Sequence, residues 1–568
     1  MHVSRNVVRP DTGYYDMDAS VAPSLYRLSM GSMATTAVRA SFATTSQRGL
    51  LEPLDDKPPT QLLSGIKLAL AIASLDILVF ISALDTTIVA TVYVPIGDSF
   101  NSMGSAEWIV TSYLITVTAF QPLYGRISDL LGRLEAIVFS ILVFLLGSVL
   151  CATSTTMNML IASRAVQGIG GAGMVSLALI VMADIMNERQ RSKYIGVFSG
   201  TFGLASAIAP VIGGAIVSTS KWQVVFWINV PFCVIALLMI TMLLRVPRPR
   251  GSVKEKISQI DVIGALLSLA GITLLLLGLS WGGREYQWLS PQVICALAFG
   301  GILLVLFVLY EWRIPAAPIV PIRLFRIRNF AVSSAASLLF GFAINGATLF
   351  IPQWALVVRN ASEITAGAYL LSFCVGMVLS SVICGIVVSK TGRCREAIVV
   401  GSALLLLGNC LLLTLDTQGV AKVIGFLFIG GLGVGCCMQP ISLIGQASVS
   451  GQDMASSTTT FLFFRSLGMV LAVSVLSNVI QNMLHEQATG IAQQFPASAS
   501  LIASILKNTS LLYASNVPAN LQLAIIEAYS KSIHIAFIVL AAFTGVYFIL
   551  ALGFKHVELK TVLKPTIR

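Results

Sequence analysis

From residue 66 onward the chain is a succession of long apolar runs separated by short polar and basic segments. A helix needs about 20 mostly apolar residues to cross a bilayer. Fourteen stretches meet that need, at roughly 67–93, 107–124, 134–153, 158–182, 194–217, 224–244, 260–280, 292–312, 330–353, 365–388, 397–415, 421–445, 457–480 and 531–554. The chain therefore reads as an all-α polytopic membrane protein. Two joints are long: the basic segment Arg245–Lys256 and the polar, partly amphipathic stretch Gln481–Ser530. Residues 1–65 are polar and rich in Ser and Thr without sustained periodicity, which predicts a disordered tail.

Composition points the same way. Only 11% of the 568 residues are charged, against about 25% in a soluble domain, so ions are too few to coat a water-facing surface. The net charge of +11 could suggest nucleic acid, but the basic residues sit in short runs between apolar spans, without interleaved aromatics. They are loop charges, and no nucleic-acid partner is expected. With the N-terminus in the cytoplasm, 28 Lys and Arg fall inside and six outside, leaving Arg164 and Arg465 within the membrane. That asymmetry puts both termini in the cytoplasm. It also places the sequons at Asn360 and Asn508 outside, where glycosylation is possible. The nine cysteines are odd in number, and eight lie in apolar spans, which argues for free thiols. Four histidines, scattered along the chain, make haem or zinc sites improbable. No nucleophile, base and orienting group converge, so neither a catalytic site nor a cofactor is expected.

The chain contains an internal repeat. The segment Gly125-Arg-Ile-Ser-Asp-Leu-Leu-Gly132-Arg133 recurs 260 residues later, with the same Gly-to-Gly-Arg spacing, as Gly385 to Gly392-Arg393. A glycine-rich run, Gly168 to Gly173, has a counterpart at Gly430 to Gly435. Two duplicated six-helix halves with two extra helices between them account for both offsets, and related halves around a midplane site are an architecture of alternating-access transporters. The expected organisation is a tail at 1–65, a bundle at 66–245, a linker with two extra helices at 246–313, a second bundle at 314–554 with an outer loop at 481–530, and a tail at 555–568.

Several segments carry a resemblance. Leu84-Asp85-Thr-Thr-Ile-Val-Ala90 resembles the first-helix motif of the fourteen-helix drug:proton antiporter branch of the major facilitator superfamily. Gly125–Arg133 resembles its loop signature, and Arg164-Ala-Val-Gln167-Gly168-Ile-Gly170 its fourth-helix motif. Gly203 through Pro210-Val-Ile-Gly213-Gly214 resembles the fifth-helix antiporter motif, and Trp222–Pro231 its usual sequel. The likeness continues through Gly431–Gln446, Asp453 and Arg465–Gly468, covering about residues 66–555, and fungal toxin and drug efflux pumps are the nearest subgroup. The resemblance implies a major facilitator fold of fourteen transmembrane helices, two six-helix bundles plus two additional central helices.

Each motif also has a plainer reading. Asp85 lies deep in the first span, where a charge costs at least about 2.5–3.5 kcal/mol and usually faces a cavity or a partner. With Arg164 at comparable depth it is either a proton switch or an ion pair that locks two helices. Asp76 departs from the family, which has an apolar residue there. Nine residues make about 900° of turn, so it faces away from Asp85. It is a second proton site, a carboxylate bonded to neighbouring hydroxyls, or a protonated acid at a helix interface. In the loop, Gly125 and Gly132 permit close approach or unusual backbone angles. Arg126, Asp129 and Arg133 form a latch on one access state in the family reading, or ordinary positive-inside charge in the plain one. Gly168–Gly173 matches a dinucleotide fingerprint in form only, because no βαβ unit surrounds it; small residues that let helices approach are the reading adopted. On the fifth helix, Gly200, Gly203, Ala207 and Gly214 share a face, and Ala209 replaces the glycine usual before Pro210. The second half departs more: Leu356 stands where relatives carry a glutamine, and Ser372-Phe373 near the place of a proline. Gln167, Asn345, Gln353, Trp354 and Arg465 are candidate cavity residues. Asn345, Gln353 and Trp354 could equally seal the outer rim, and Arg465 either meets an anionic group or snorkels toward water.

The expected function is proton-coupled efflux of amphipathic organic compounds such as toxins, secondary metabolites or drugs. The protein is expected to act as a monomer in the plasma membrane, with the vacuole or another internal membrane as the alternative. Its partners are the substrate, protons and the lipid bilayer. An importer of the same fold, of siderophore-uptake type, and a transporter-derived sensor are the competing readings.

Overall fold

Inside a bilayer the backbone must satisfy its own N–H and C=O groups, and a long apolar segment does so as a helix. Each apolar stretch is helical in the computed structural model. It describes residues 65–557 apart from 101, 103–104, 107, 187, 220, 245–260, 284–285, 314–319, 321, 362, 416–419, 508–511 and 514–516. The N-terminal tail, the basic linker, Asn508 and the last residues of the C-terminal tail lie outside this set. The helices are α1 (Gly65–Ser99), α2 (Trp108–Leu131), α3 (Arg133–Ala152), α4 (Met157–Ile185), α5 (Glu188–Thr219), α6 (Val224–Leu243), α7 (Val262–Trp281), α8 (Pro291–Arg313), α9 (Arg328–Val358), α10 (Glu363–Thr391), α11 (Cys394–Leu411), α12 (Val420–Met438 continued by Pro440–Ala447), α13 (Met454–Gln494) and α14 (Ala519–Leu552).

Among the described residues, twelve helices are long and apolar enough to cross a membrane, and α2 and α5 are outside that set. Thr111, Ser112, Thr116, Thr118 and Gln121 dilute the apolar character of α2. Both helices stand where the two bundles meet, so much of their surface faces protein rather than lipid. Within the expected outer loop at 481–530, most of the described residues are helical. Helix α13 runs on to Gln494, a short helix spans Ala499–Lys507, and α14 begins at Ala519, twelve residues before the predicted span.

The packing follows the duplication. In the first half α4 packs on α2 and α3, and in the second α12 packs on α10 and α11. The two glycine runs are the contact surfaces. A Cβ on Gly170 would strike the backbone of Phe144 in α3, and one on Gly433 the backbone of Leu405 in α11. The bundles touch through α5 against α10 and α2 against α13. Helices α7 and α8 pair with each other, and α7 leans on α2 and α13. Trp108 and Trp281 meet at 6.5 Å between centroids, and the Trp288 indole donates to Asn478 Oδ1 at 3.0 Å. Much of α8 is bare: Phe299 is 59% exposed and Val305 60%, as suits a helix that faces lipid.

The α5–α10 contact is not uniform. A Cβ on Gly196 would stand 2.9 Å from the carbonyl oxygen of Ser381, and one on Gly203 2.6 Å from Met377 Cε. Further along α5, Gly214 has open space around it. The bundles are thus closed at the end that carries the α2–α3 turn. There, too, a Cβ on Gly125 of α2 would lie 2.6 Å from Thr459 Oγ1 of α13, and Gln439 of α12 donates to Ser199 of α5.

Candidate functional site

Asp85 and Arg164 meet inside the first bundle, both with fully buried side chains, at 2.7 Å from Nη1 to Oδ2. The pair sits within a larger polar network. Asp85 Oδ1 accepts from Gln167 Nε2 at 3.0 Å and from Asn229 Nδ2 at 2.7 Å. Gln167 also accepts from Arg164 Nη1 at 2.6 Å and donates to Ser148 Oγ at 2.8 Å. The guanidinium donates through Nε to the Ile109 carbonyl at 3.0 Å and lies 4.2 Å from the Tyr113 ring centroid, while Nη2 is buried without a bond. Five helices converge here: α1 brings Asp85, α2 Ile109 and Tyr113, α3 Ser148, α4 Arg164 and Gln167, and α6 Asn229, with Phe226 in the first turn of α6 5.8 Å from the guanidinium carbon. Every neighbour bonded to Asp85 is a donor, which is the environment of a carboxylate and not of a neutral acid.

Gln167 therefore stands elsewhere than expected. It has no exposure and spends its amide on the Asp85 network instead of facing a cavity. Asn229 and Ser148 were not legible as members, because a polar residue in a span shows its partner only when the helices are assembled. A consequence of the 3.6-residue repeat was available: Arg164 and Gln167 are three apart and share one helix face.

The α2–α3 turn forms a second charged cluster. Arg133 bonds Asp129 Oδ1 at 2.7 Å and Asp184 Oδ2 at 2.7 Å, and reaches Ser128 Oγ at 2.5 Å. Asp184, at the end of α4, is the member that sequence reasoning missed. Gly132 precedes α3 with φ at 117°, and Gly392 takes φ 72° at the matching place before α11. Those are backbone angles that favour glycine, so the repeated Gly-Arg spacing preserves a turn geometry. The charge cluster is not repeated, since Ser389 stands where the first half has Asp129. Arg126 has a buried Nε with no bond.

Asp76 accepts from Thr201 Oγ1 of α5 at 2.7 Å, while its Oδ1 is buried with no partner. Of the fifth-helix motif, Gly203 packs on α10, Gly213 is buried and Gly214 is open; the side chains of Ala207 and Pro210 are outside the described set. In the second bundle, Asn345 Nδ2 donates to the Met469 carbonyl at 2.9 Å, tying α9 to α13. Trp354 is 3% exposed in the core, under the Arg359 guanidinium at 5.9 Å, so it packs rather than lining open space. Gln353 is half-buried. Asn360 is exposed just past the end of α9. Arg465 lines a small cavity between α9, α12 and α13.

Known proteins resemble this chain in sequence and in fold. Residues 75–473 match the sequence profile of the Major Facilitator Superfamily. Efflux pump dotC of Dothistroma septosporum is 33% identical over 450 residues, covering 79% of this chain and 77% of the relative. Multidrug transporter protein MdtP of Bacillus subtilis (strain 168) is 34% identical over 447 residues, covering 78% and 81%. The crystal structure of the human organic anion transporter MFSD10 (TETRAN) shares the fold with a TM-score of 0.57 at 13% identity, covering 86% of this chain and all of that one. A chain matched over most of its length by that profile and by relatives a third identical to it is a membrane transporter and not an enzyme: it belongs to the Major Facilitator Superfamily.

Proposed function

We propose that this chain exports amphipathic organic compounds, such as toxins, secondary metabolites or drugs, in exchange for protons. It works as a fourteen-span monomer of the plasma membrane with both termini in the cytoplasm. The closed end, with the α2–α3 turn, is then cytoplasmic, and the open end releases substrate outward. Asp85 carries the proton, Arg164 sets how readily it is taken up, and Arg133 with Asp129 and Asp184 latches the state that is closed to the cytoplasm. No bound cofactor takes part, because the proton gradient supplies the energy.

The observation that carries this reading is the donor-only shell of Asp85. Both oxygens accept from N–H groups on α4 and α6, so an added proton has no lone pair to point at and must displace a donor. Protonation therefore weakens the bonds that join α1 to α4 and α6. A group whose protonation changes the fit between helices can bias an equilibrium between access states. The relationship to efflux pump dotC supports export over import.

The test uses Asp85→Asn in reconstituted vesicles with an imposed pH gradient. The amide mimics the protonated state, so gradient-driven accumulation should vanish while substrate binding and downhill equilibration survive. By reciprocal linkage, substrate affinity of the wild type should vary with pH, and that dependence should flatten in the variant. Full uphill transport by Asp85→Asn removes this residue from the mechanism.

A further inference from the structure

Arg465 is the one intramembrane arginine that the Asp85 network leaves unexplained. Helix α13 begins at Met454, which puts Arg465 eleven residues, or about 16 Å, along its axis. The side chain stays within the bundle, where it lines a cavity with Ser337 and Phe340 of α9, Met438 and Ser442 of α12, and Phe461 of its own helix. Among the described residues its guanidinium has neither a hydrogen-bond partner nor an ion-pair partner. Arg164 and Arg133, by contrast, are both held by carboxylates.

Among the described residues, the three helices that line the cavity place no carboxylate beside it. Neither α9 nor α12 contains an Asp or Glu anywhere, and α13 contains only Glu486, twenty-one residues further along. A charged residue at membrane depth pairs, reaches water or marks a substrate path. Arg465 lines a cavity with residues of three helices, whereas a snorkelling stem runs along its own helix to the interface. The wall opposite is also where α12 is interrupted, at Gln439 between Met438 and Pro440. Interrupted helices lining a cavity are a recurrent form of transporter binding site.

We infer that Arg465 is the headgroup site for an organic anion, and that the cargo class is amphipathic carboxylates or similarly compact acids. This rests on the export reading and narrows its substrate. A carboxylate would take the guanidinium fork in two parallel bonds, with the Ser337 and Ser442 hydroxyls available as further donors. Phe340, Phe461, Met438 and Ile441 supply an apolar surface for the attached body. The enclosed space holds only about one water molecule, so the headgroup enters it and the body extends into the space between the bundles. A cationic cargo would meet an uncompensated like charge there.

Three ligands that share one ring system separate charge from shape: 2-naphthoate, 2-naphthamide and 2-naphthylmethylammonium. Equilibrium binding to the purified full-length protein, without any gradient, reads affinity alone. Naphthoate should bind about 10- to 100-fold more tightly than the amide, the span expected for a charge-assisted bond, and the ammonium should be weakest. Arg465→Gln should bring naphthoate to the level of the amide, whereas Arg465→Lys, which keeps the charge but loses the fork, should fall between. Ser337→Asp provides a variant that keeps the arginine, filling the site with an internal carboxylate, and it should abolish the preference for naphthoate. Equal affinities for the three ligands, no binding of naphthoate, or unchanged binding by Arg465→Gln or Ser337→Asp overturns the assignment. Proton-driven efflux is measured separately. Absence of charge preference in the unmodified protein with gradient-driven transport intact sinks this inference alone, and the reverse pattern sinks only the export reading.

Discussion

Gly196 offers a way to tilt the molecule between its two access states without touching the charged sites. At this position the backbone of α10 comes close to α5, and an added Cβ would stand 2.9 Å from the Ser381 carbonyl oxygen and 3.6 Å from Val382 Cα. The nearest obstacle is backbone, which cannot swing aside as a side chain can. Gly196→Val forces the helices apart, and overpacking of a tight contact costs about 1–3 kcal/mol. Valine is also a better helix former than glycine, by a few tenths of a kcal/mol, but that gain applies in both states and cancels. The steric cost falls only on the state in which this end is closed. The ratio of open to closed at the end proposed to be cytoplasmic should therefore rise about 5- to 150-fold. Ser442→Cys, in a background without other reactive thiols, reports the change as its labelling rate by an impermeant maleimide in inverted vesicles. Gly214→Val is the control, because a Cβ there meets nothing within 4 Å. Labelling that is the same for Gly196→Val, Gly214→Val and the parent would refute the claim that this glycine holds the bundles together.

Three further outcomes are expected. Arg164→Ala leaves the Asp85 carboxylate buried at 0% exposure without its ion pair, which should cost about 3–5 kcal/mol of stability and show as a lower midpoint in thermal unfolding in detergent. Asp129→Asn removes one of the two carboxylates on Arg133; it should slow transport at matched surface expression while leaving ligand affinity unchanged, and normal flux would return the loop to a topology signal. In sealed cells, Asn360→Cys should react with an impermeant thiol reagent from outside and Lys254→Cys should not, and the opposite pattern would reverse the orientation read from the charge distribution.

The sequence by itself determined where the helices are, because hydropathy and length are local properties that a window of about 20 residues contains. All fourteen expected stretches are helical, the glycine runs do pack α4 and α12 against equivalent neighbours, and Gly132 and Gly392 share a positive φ that their repeated spacing foreshadowed. Asp85 and Arg164 could be singled out from depth alone, since a charge in an apolar span needs a reason. Helix ends were less legible, as at α13, where the amphipathic continuation to Gln494 lacks the unbroken apolar run of a span.

Tertiary structure decided what each polar side chain touches. Gln167 was expected at a cavity and serves the Asp85 carboxylate instead; Asn229, 144 residues from Asp85, joins the same carboxylate; Asp184 completes the Arg133 cluster. Nothing in the local sequence pairs these residues, because a hydrogen bond depends on separations of about 3 Å that only the packing of one helix on another sets. The same holds for Arg465. Its charge and depth were evident from the chain, but that it lines a cavity with no partner among the described residues follows only from how α9, α12 and α13 pack.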